Sequence, residues 1–318
     1  MLDRRALILS SLATAAAGLA LPAEARAPLA GRQVPGVYRR KIGSYEITAI
    51  SDGSVALNAQ LFAGADQAEI KRLLASYGLL DVPPTAVNAF VVNTGRRTYL
   101  IDTGTGSNKA FGNTLGRMRD NLVAAGIQPS QIDAVILTHA HTDHAEGLIT
   151  SGGAARFRNA EVIIHENEAN FWLDESIASR APEAAKPFFA SARKALAPYA
   201  GRLRKVKGGE IAPGLTLEPA FGHTPGHSIV RVASGNQQML FVGDTIHNAV
   251  IQTARPDVTF AFDSDGRQAA ESRKRVFDMV SADGMVIAAT HIAFPGIGRI
   301  IRDGAAFRYV PADFADTI

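Results

Sequence analysis

"LTHAHTDHAEG", residues 137–147, places three histidines and an aspartate within the six positions from His139 to His144. The whole chain holds eight histidines, so this density is more than the background of a polar turn. The stretch continues from "AVILT" (134–138), a continuous apolar run of buried-strand length. In a loop leaving a strand, alternate residues point the same way, so His139, His141, Asp143 and the adjacent His144 can turn toward one point. A single histidine there reads as a helix cap. Three with a carboxylate read as ligands, because imidazole and carboxylate together bind zinc-like divalent ions.

Working outward, the other ligand-type residues also follow apolar strands. "GHTPGH" (222–227) offers His223 and His227, "FVGDT" (241–245) carries Asp244, and "IAATHIAFPG" (287–296) carries His291. Adding His227, Asp244 and His291 to the first four makes seven ligands. That is too many for one tetrahedral ion and about right for two that share a carboxylate. His223 precedes the tight turn Thr224-Pro225-Gly226 and is read as supporting His227. His165, closing "EVIIH" (161–165), reads as a buried, satisfied histidine, and His247 as a pocket or loop-capping residue.

"HAHTDH" matches the HxHxDH signature of the metallo-β-lactamase superfamily, and His227, Asp244 and His291 fall where that superfamily's later ligands do. The chain resembles this family over nearly all of its length after the leader, from "SDGSVALN" to "FRYVP". Through "NKAFGNTLGRM", "ANFWL", "GHTPGHS" and "HIAFPGIG" it resembles the branch of methyl parathion hydrolase and its lactonase and aryl-esterase relatives. The resemblance implies a four-layer αββα sandwich holding two divalent ions of the zinc type. One would take His139, His141 and His227, the other Asp143, His144 and His291, with Asp244 bridging. It implies hydrolysis by a hydroxide held between the ions, whose pKa falls to about 7, with Asp143 or a water carrying the proton to the leaving group. It further implies that Asp102 in "LIDTG" supports a ligating histidine, where the residues alone also allow a turn cap.

The aromatic residues bear on substrate. Phe111, Trp172 and Phe189 fall where the family builds an aromatic pocket, and Phe260 and Phe262 in "DVTFAFDSD" crowd the same mouth. The pairs "FW" (171–172) and "FF" (188–189) put neighbours on different helix faces, so not all of these rings can point inward. A narrow aromatic site suits flat aryl esters or lactones better than a phosphotriester with three splayed substituents, although the same nucleophile attacks either centre. β-Lactam hydrolysis through a cysteine ligand is excluded, since the chain has no cysteine. A glyoxalase-II-like thioesterase would bring a basic helical C-terminus. This chain ends in "RIIRDGAAFRYVPADF", which reads as a hairpin.

With 318 residues, 47% of them hydrophobic, the chain can bury a large core. A net charge of only +3 and no dense basic run argue against a nucleic-acid partner. Residues 1–27 have Arg4 and Arg5 before an apolar Ala/Leu stretch and an A-x-A site, the pattern of a Tat-type export signal, which predicts a periplasmic location. The expectation is then one hydrolase domain over 28–318, without stable membrane insertion once the signal is removed. It would act on small-molecule esters or lactones, and the resemblance adds a homodimer. Residues 28–44 are expected to lie extended over the surface.

Overall fold

Each apolar run alternates between two different cores, and this alternation builds the molecule. In the strand Ala134–Ile136, Ala134 and Ile136 face one cluster and Val135 another. Ile163 of Glu161–His165 points into the first, and Val162 and Ile164 into the second. The same happens in Gln237–Phe241, where Met239 and Phe241 share the first cluster while Leu240 turns to a third. Strands buried on both faces must be covered on both sides. The shared cluster lies between two sheets, where the Phe90 and Phe241 rings meet edge-on at 5.2 Å. The outer clusters lie under helices: Lys186–Leu196 and its neighbours on one side, Gly266–Ala282 on the other. The result is the expected αββα sandwich.

The computed structural model describes Ala27 and residues 29–318, so the leader expected over 1–27 lies almost wholly outside the described residues. Pro35–Ile318 form one compact unit. Among the described residues no helix is long and apolar enough to cross a membrane.

The first sheet has seven strands in the order Val37–Ile42, Tyr45–Val55, Thr85–Asn93, Thr98–Ile101, Ala134–Ile136, Glu161–His165 and Leu203–Val206. The last four run parallel. The second sheet also has seven, in the order Ala306–Pro311, Ile297–Asp303, Val286–Ala288, Gln237–Phe241, Ser228–Ser234, Leu215–Pro219 and Gly209–Ala212. Gln237–Phe241 and Val286–Ala288 are its parallel pair. Parallel strands deliver all their C-terminal ends to one sheet edge, which is where open α/β sheets place ligands. The hairpin expected at the C-terminus is present as Ile297–Asp303 against Ala306–Pro311.

Residues 37–42, expected to lie extended over the surface, are extended as an edge strand of the first sheet, paired from Val37↔Ile50 to Ile42↔Tyr45. Gly43 permits the tight return: its φ is +57°, and a Cβ there would fall 2.3 Å from the Ser234 carbonyl oxygen.

Candidate metal centre

The loops after the central strands of both sheets converge on Asp244. Its Oδ1 lies 3.1 Å from His144 Nε2. Its Oδ2 lies 3.1 Å from Nε2 of His223, His247 and His291 and 3.7 Å from His139 Nε2. His141 Nδ1 is 3.0 Å from both His139 Nε2 and His223 Nε2. Asp143 Oδ2 stands 3.6 Å from His144 and 3.6 Å from His291. Three ligand groups emerge, each with donor atoms within 4.8 Å of one another: His139, His141, His223 and Asp244; Asp143, His144 and His291; and Asp244, His247 and His291.

Four of these rings, His139, His144, His223 and His291, have a partner on their other nitrogen, the usual arrangement for ligating histidines. His144 donates through Nδ1 to Asp102 Oδ2 at 2.8 Å, while both Asp102 oxygens also take Thr138, from its N–H at 2.9 Å and its hydroxyl at 2.8 Å. Asp102 holds this position with φ +57°, a left-handed conformation that aspartate tolerates better than most residues. His291 donates to the Ala86 carbonyl and His223 to Asp263 Oδ1, each at 2.9 Å. The Nδ1 of His139 lies 3.1 Å from the Thr138 hydroxyl.

His223 and His227 exchange the roles expected of them. His227 donates through Nδ1 to the Ala220 carbonyl at 2.9 Å, and its Nε2 accepts the N–H of Asp244 at 3.0 Å. With both nitrogens committed to backbone, it has no lone pair left for an ion. His227 instead fixes the start of the loop that carries Asp244. His223, anchored by Asp263, is the residue that points its Nε2 into the cluster, toward His141 and Asp244. The Asp263 carboxylate escaped the sequence reading, because nothing in "FAFDSD" shows that it folds back by 40 positions.

The donor set fits divalent ions of the zinc class. Six imidazole rings and the Asp143 and Asp244 carboxylates converge on this site, and His144 Nε2 and Asp244 Oδ1, 3.1 Å apart, are buried without making a hydrogen bond. Such orphaned atoms are costly unless a cation takes them up. Burial pulls His139 and His141 well below the ordinary imidazole value. Burial alone would also lower His144, but the Asp244, Asp143 and Asp102 carboxylates outweigh it and raise that ring well above. Burial would raise Asp244, yet the surrounding histidines, His144 first, hold its carboxyl well below the usual range.

Above the cluster opens a narrow cleft with an apolar, largely aromatic lining. Val55, Leu57, Phe111, Leu115, Phe188, Phe260 and Phe262 form its walls, with His141, Asp143, His223, Asp244, His247 and His291 at the polar end. His247 stacks on Phe260 at 4.1 Å and on His291 at 5.2 Å. Trp172 and Phe189, expected in the pocket, lie instead in the core behind it, 4.7 Å apart, with Trp172 edge-on to His141 at 5.5 Å. Phe188 takes the wall position, because consecutive residues of a helix point about 100° apart. His165 caps the helix Glu166–Leu173, accepting from Asn167 N–H at 3.1 Å, and is no part of the cluster.

The sequence profile of the metallo-beta-lactamase superfamily matches residues 82–291, and this chain belongs to that family of metal-dependent hydrolases. No curated protein matches the chain. Among solved structures it is similar to the hydrolase AbOPH of the beta lactamase superfamily, with 34% identity and a TM-score of 0.84 over 90% of this chain and all of that one. It is also similar to AidC, described as a dizinc quorum-quenching lactonase in complex with its product N-hexanoyl-L-homoserine, with 27% identity and a TM-score of 0.83 over the same shares. A probable metal-dependent hydrolase from Staphylococcus aureus shares the fold at 20% identity, with a TM-score of 0.71 over 88% of this chain and all of that one.

Proposed function

We propose that this chain hydrolyses small carboxylic esters and lactones, aryl ones by preference, using two divalent ions, zinc by the chemistry of the donors. His139, His141 and His223 would hold one ion and Asp143, His144 and His291 the other, with Asp244 between them. When bound, such a pair supplies Lewis acidity toward the scissile carbonyl and a nucleophile at neutral pH. The chain's own contribution is orientation, water exclusion and proton handling. Phe111, Phe188, Phe260 and Phe262 line the cleft, with Phe262 6.0 Å from Phe188 and 5.5 Å from Phe260, so a flat ring would sit among apolar walls while its carbonyl reaches the polar end. Asp143 is the more exposed carboxylate of the centre, its side chain 20% accessible against 4% for Asp244. It is therefore the group placed to pass a proton to the departing alcohol.

The observation that carries this reading is the aromatic, donor-poor wall directly above a histidine–aspartate cluster. The likeness to a lactonase supports it, as does the likeness to a second hydrolase of the same family. A panel of p-nitrophenyl esters, dihydrocoumarin, N-acyl homoserine lactones, nitrocefin and methyl paraoxon tests it after metal analysis. Aryl esters and dihydrocoumarin are expected to have the highest kcat/KM. Phosphotriester turnover exceeding every ester and lactone by orders of magnitude would overturn the preference. The Arg4-Arg5 leader adds to the proposal that the protein is exported already folded and metal-loaded, to be checked by N-terminal sequencing of the periplasmic fraction.

A further inference from the structure

Glu168, on the helix Glu166–Leu173, is completely buried, yet it lines no part of the cleft and touches no ligand atom. Its Oε1 accepts the N–H of Ala140 at 2.9 Å and the indole N–H of Trp172 at 2.6 Å. Its Oε2 accepts the hydroxyl of Thr224 at 2.6 Å and the N–H of Gly226 at 2.9 Å. Ala140 lies between His139 and His141, and Thr224 and Gly226 directly follow His223. One anion thus grips both histidine loops, which come from different sheets. Gly226 is pressed so closely that a Cβ there would sit 2.1 Å from the Glu168 backbone nitrogen.

The chemistry of the grip is specific. A carboxylate is an acceptor with about four lone-pair sites and no proton, and all four donors here need an acceptor. A glutamine of the same shape would turn an N–H₂ donor against two of those donors. Burial pushes the Glu168 carboxyl upward, while the four hydrogen bonds act in the opposite sense to keep the acceptor form.

We infer that Glu168 is a positioning residue of the metal centre: by holding the 139–141 and 223–226 loops together it sets the 3.0 Å approach of His141 Nδ1 to His223 Nε2, and so the affinity of the ion those two rings would share. This rests on the reading that the cluster binds metal. Outer groups that orient ligands typically contribute 10- to 100-fold in metal affinity. Trp172, through its indole, ties the same carboxylate to the core behind the pocket, which accounts for an aromatic that lies beside His141 without lining the cleft.

The test is cobalt binding to the full chain, read by chelator competition and by the visible d–d spectrum. Glu168→Gln is expected to weaken one of two cobalt ions about 10- to 100-fold and shift its spectrum, with the other ion near native affinity. Thr224→Val, which removes a single donor and keeps the volume, is expected to give a smaller loss in the same ion, and it carries the test if Glu168→Gln fails to fold. Phe277→Leu, in the outer core on the far side of the second sheet, should lower thermal stability while leaving both affinities and the spectrum unchanged. The inference fails if Glu168→Gln or, where that variant does not fold, Thr224→Val keeps native affinity and spectrum. It fails also if Phe277→Leu weakens cobalt as much as they do. A native chain that takes up no cobalt sinks the proposed function as well; two ions bound by native and variant alike sinks only the role of Glu168.

Discussion

His223 and His227 sit four positions apart in one short loop, and what each Nδ1 proton meets separates their fates. A carboxylate on Nδ1, as His223 has in Asp263, makes Nε2 a better ligand. A backbone clamp on both nitrogens, as in His227, makes a structural strut. Replacing His223 with Gln should therefore remove one metal ion per chain and cut kcat/KM by at least about 100-fold. His227→Gln should keep the metal stoichiometry at a loss of stability. Inductively coupled plasma analysis of both variants distinguishes them, and the opposite pattern would restore His227 as the ligand. Asp143→Asn makes a second prediction at this scale. Turnover of poor leaving groups should fall by about 10²–10⁴-fold, the span of general acid–base catalysis, and activated p-nitrophenyl esters should suffer less. Full turnover of both classes with both metals retained would exclude Asp143 as the proton carrier.

The helix Gly266–Ala282 illustrates what an element adds. Its buried residues Ala269, Ala270, Arg273, Val276, Phe277 and Val280 form a stripe of helical period, and an arginine occupies one of the core positions. Arg273 is fully buried and donates to the carbonyls of Thr245, Pro256 and Val258, binding the helix to the loop after Asp244. Its guanidinium also lies 4.0 Å from Asp263, the partner of His223. Burial lowers its pKa to about 10, so it stays charged at neutral pH. Arg273→Met should destabilise the fold by about 3–5 kcal/mol, because a buried carboxylate and three carbonyls lose their counterpart. Urea unfolding measures this, and a change below 1 kcal/mol would show the network to be dispensable. The apolar spacing of "RQAAESRKRVFDMVS" (267–281) by itself predicts a helix. It does not predict the burial of Arg273, since a lone basic residue in a helix normally faces water.

At the scale of the whole molecule, seven histidines crowded into one dry site make the metal-free protein sensitive to pH from both sides. Burial holds His139, His141, His227 and His247 below the ordinary value of 6.5, to about 3 for His227 and about 4 for His247. Unfolded, these rings bind protons that the folded state refuses, so their stabilisation is present above pH 6.5 and lost as pH falls toward 3. His144, His223 and His291 are equally buried, but Asp244 and nearby carboxylates overcome that effect and raise them, His223 to about 9. Their stabilisation is present below pH 6.5 and lost as pH rises toward 9. Urea midpoints in the presence of chelator should accordingly peak near pH 6.5. Divalent ions should abolish the alkaline decline, because they replace those protons. A metal-free profile that keeps rising to pH 9 would contradict this balance.

The amino-acid order alone carried the buried strands and the density of ligands around His139, because apolar runs and loop spacing are local properties, while the layered sandwich came from the resemblance to a known family. It also placed Asp244 and His291, since a short polar loop directly after a buried strand has one edge to emerge on. Tertiary structure alone decided which histidine of "GHTPGH" faces the cluster, which phenylalanine of residues 188 and 189 lines the cleft, and that Glu168 and Asp263 stand behind the ligands. The roles of His223, Asp263 and Glu168 depend on partners 28 to 82 positions away. A ring's direction is set by the hydrogen bond on its far side, and that bond exists only once the chain has folded back on itself, as His223 meets Asp263 and His291 meets the Ala86 carbonyl.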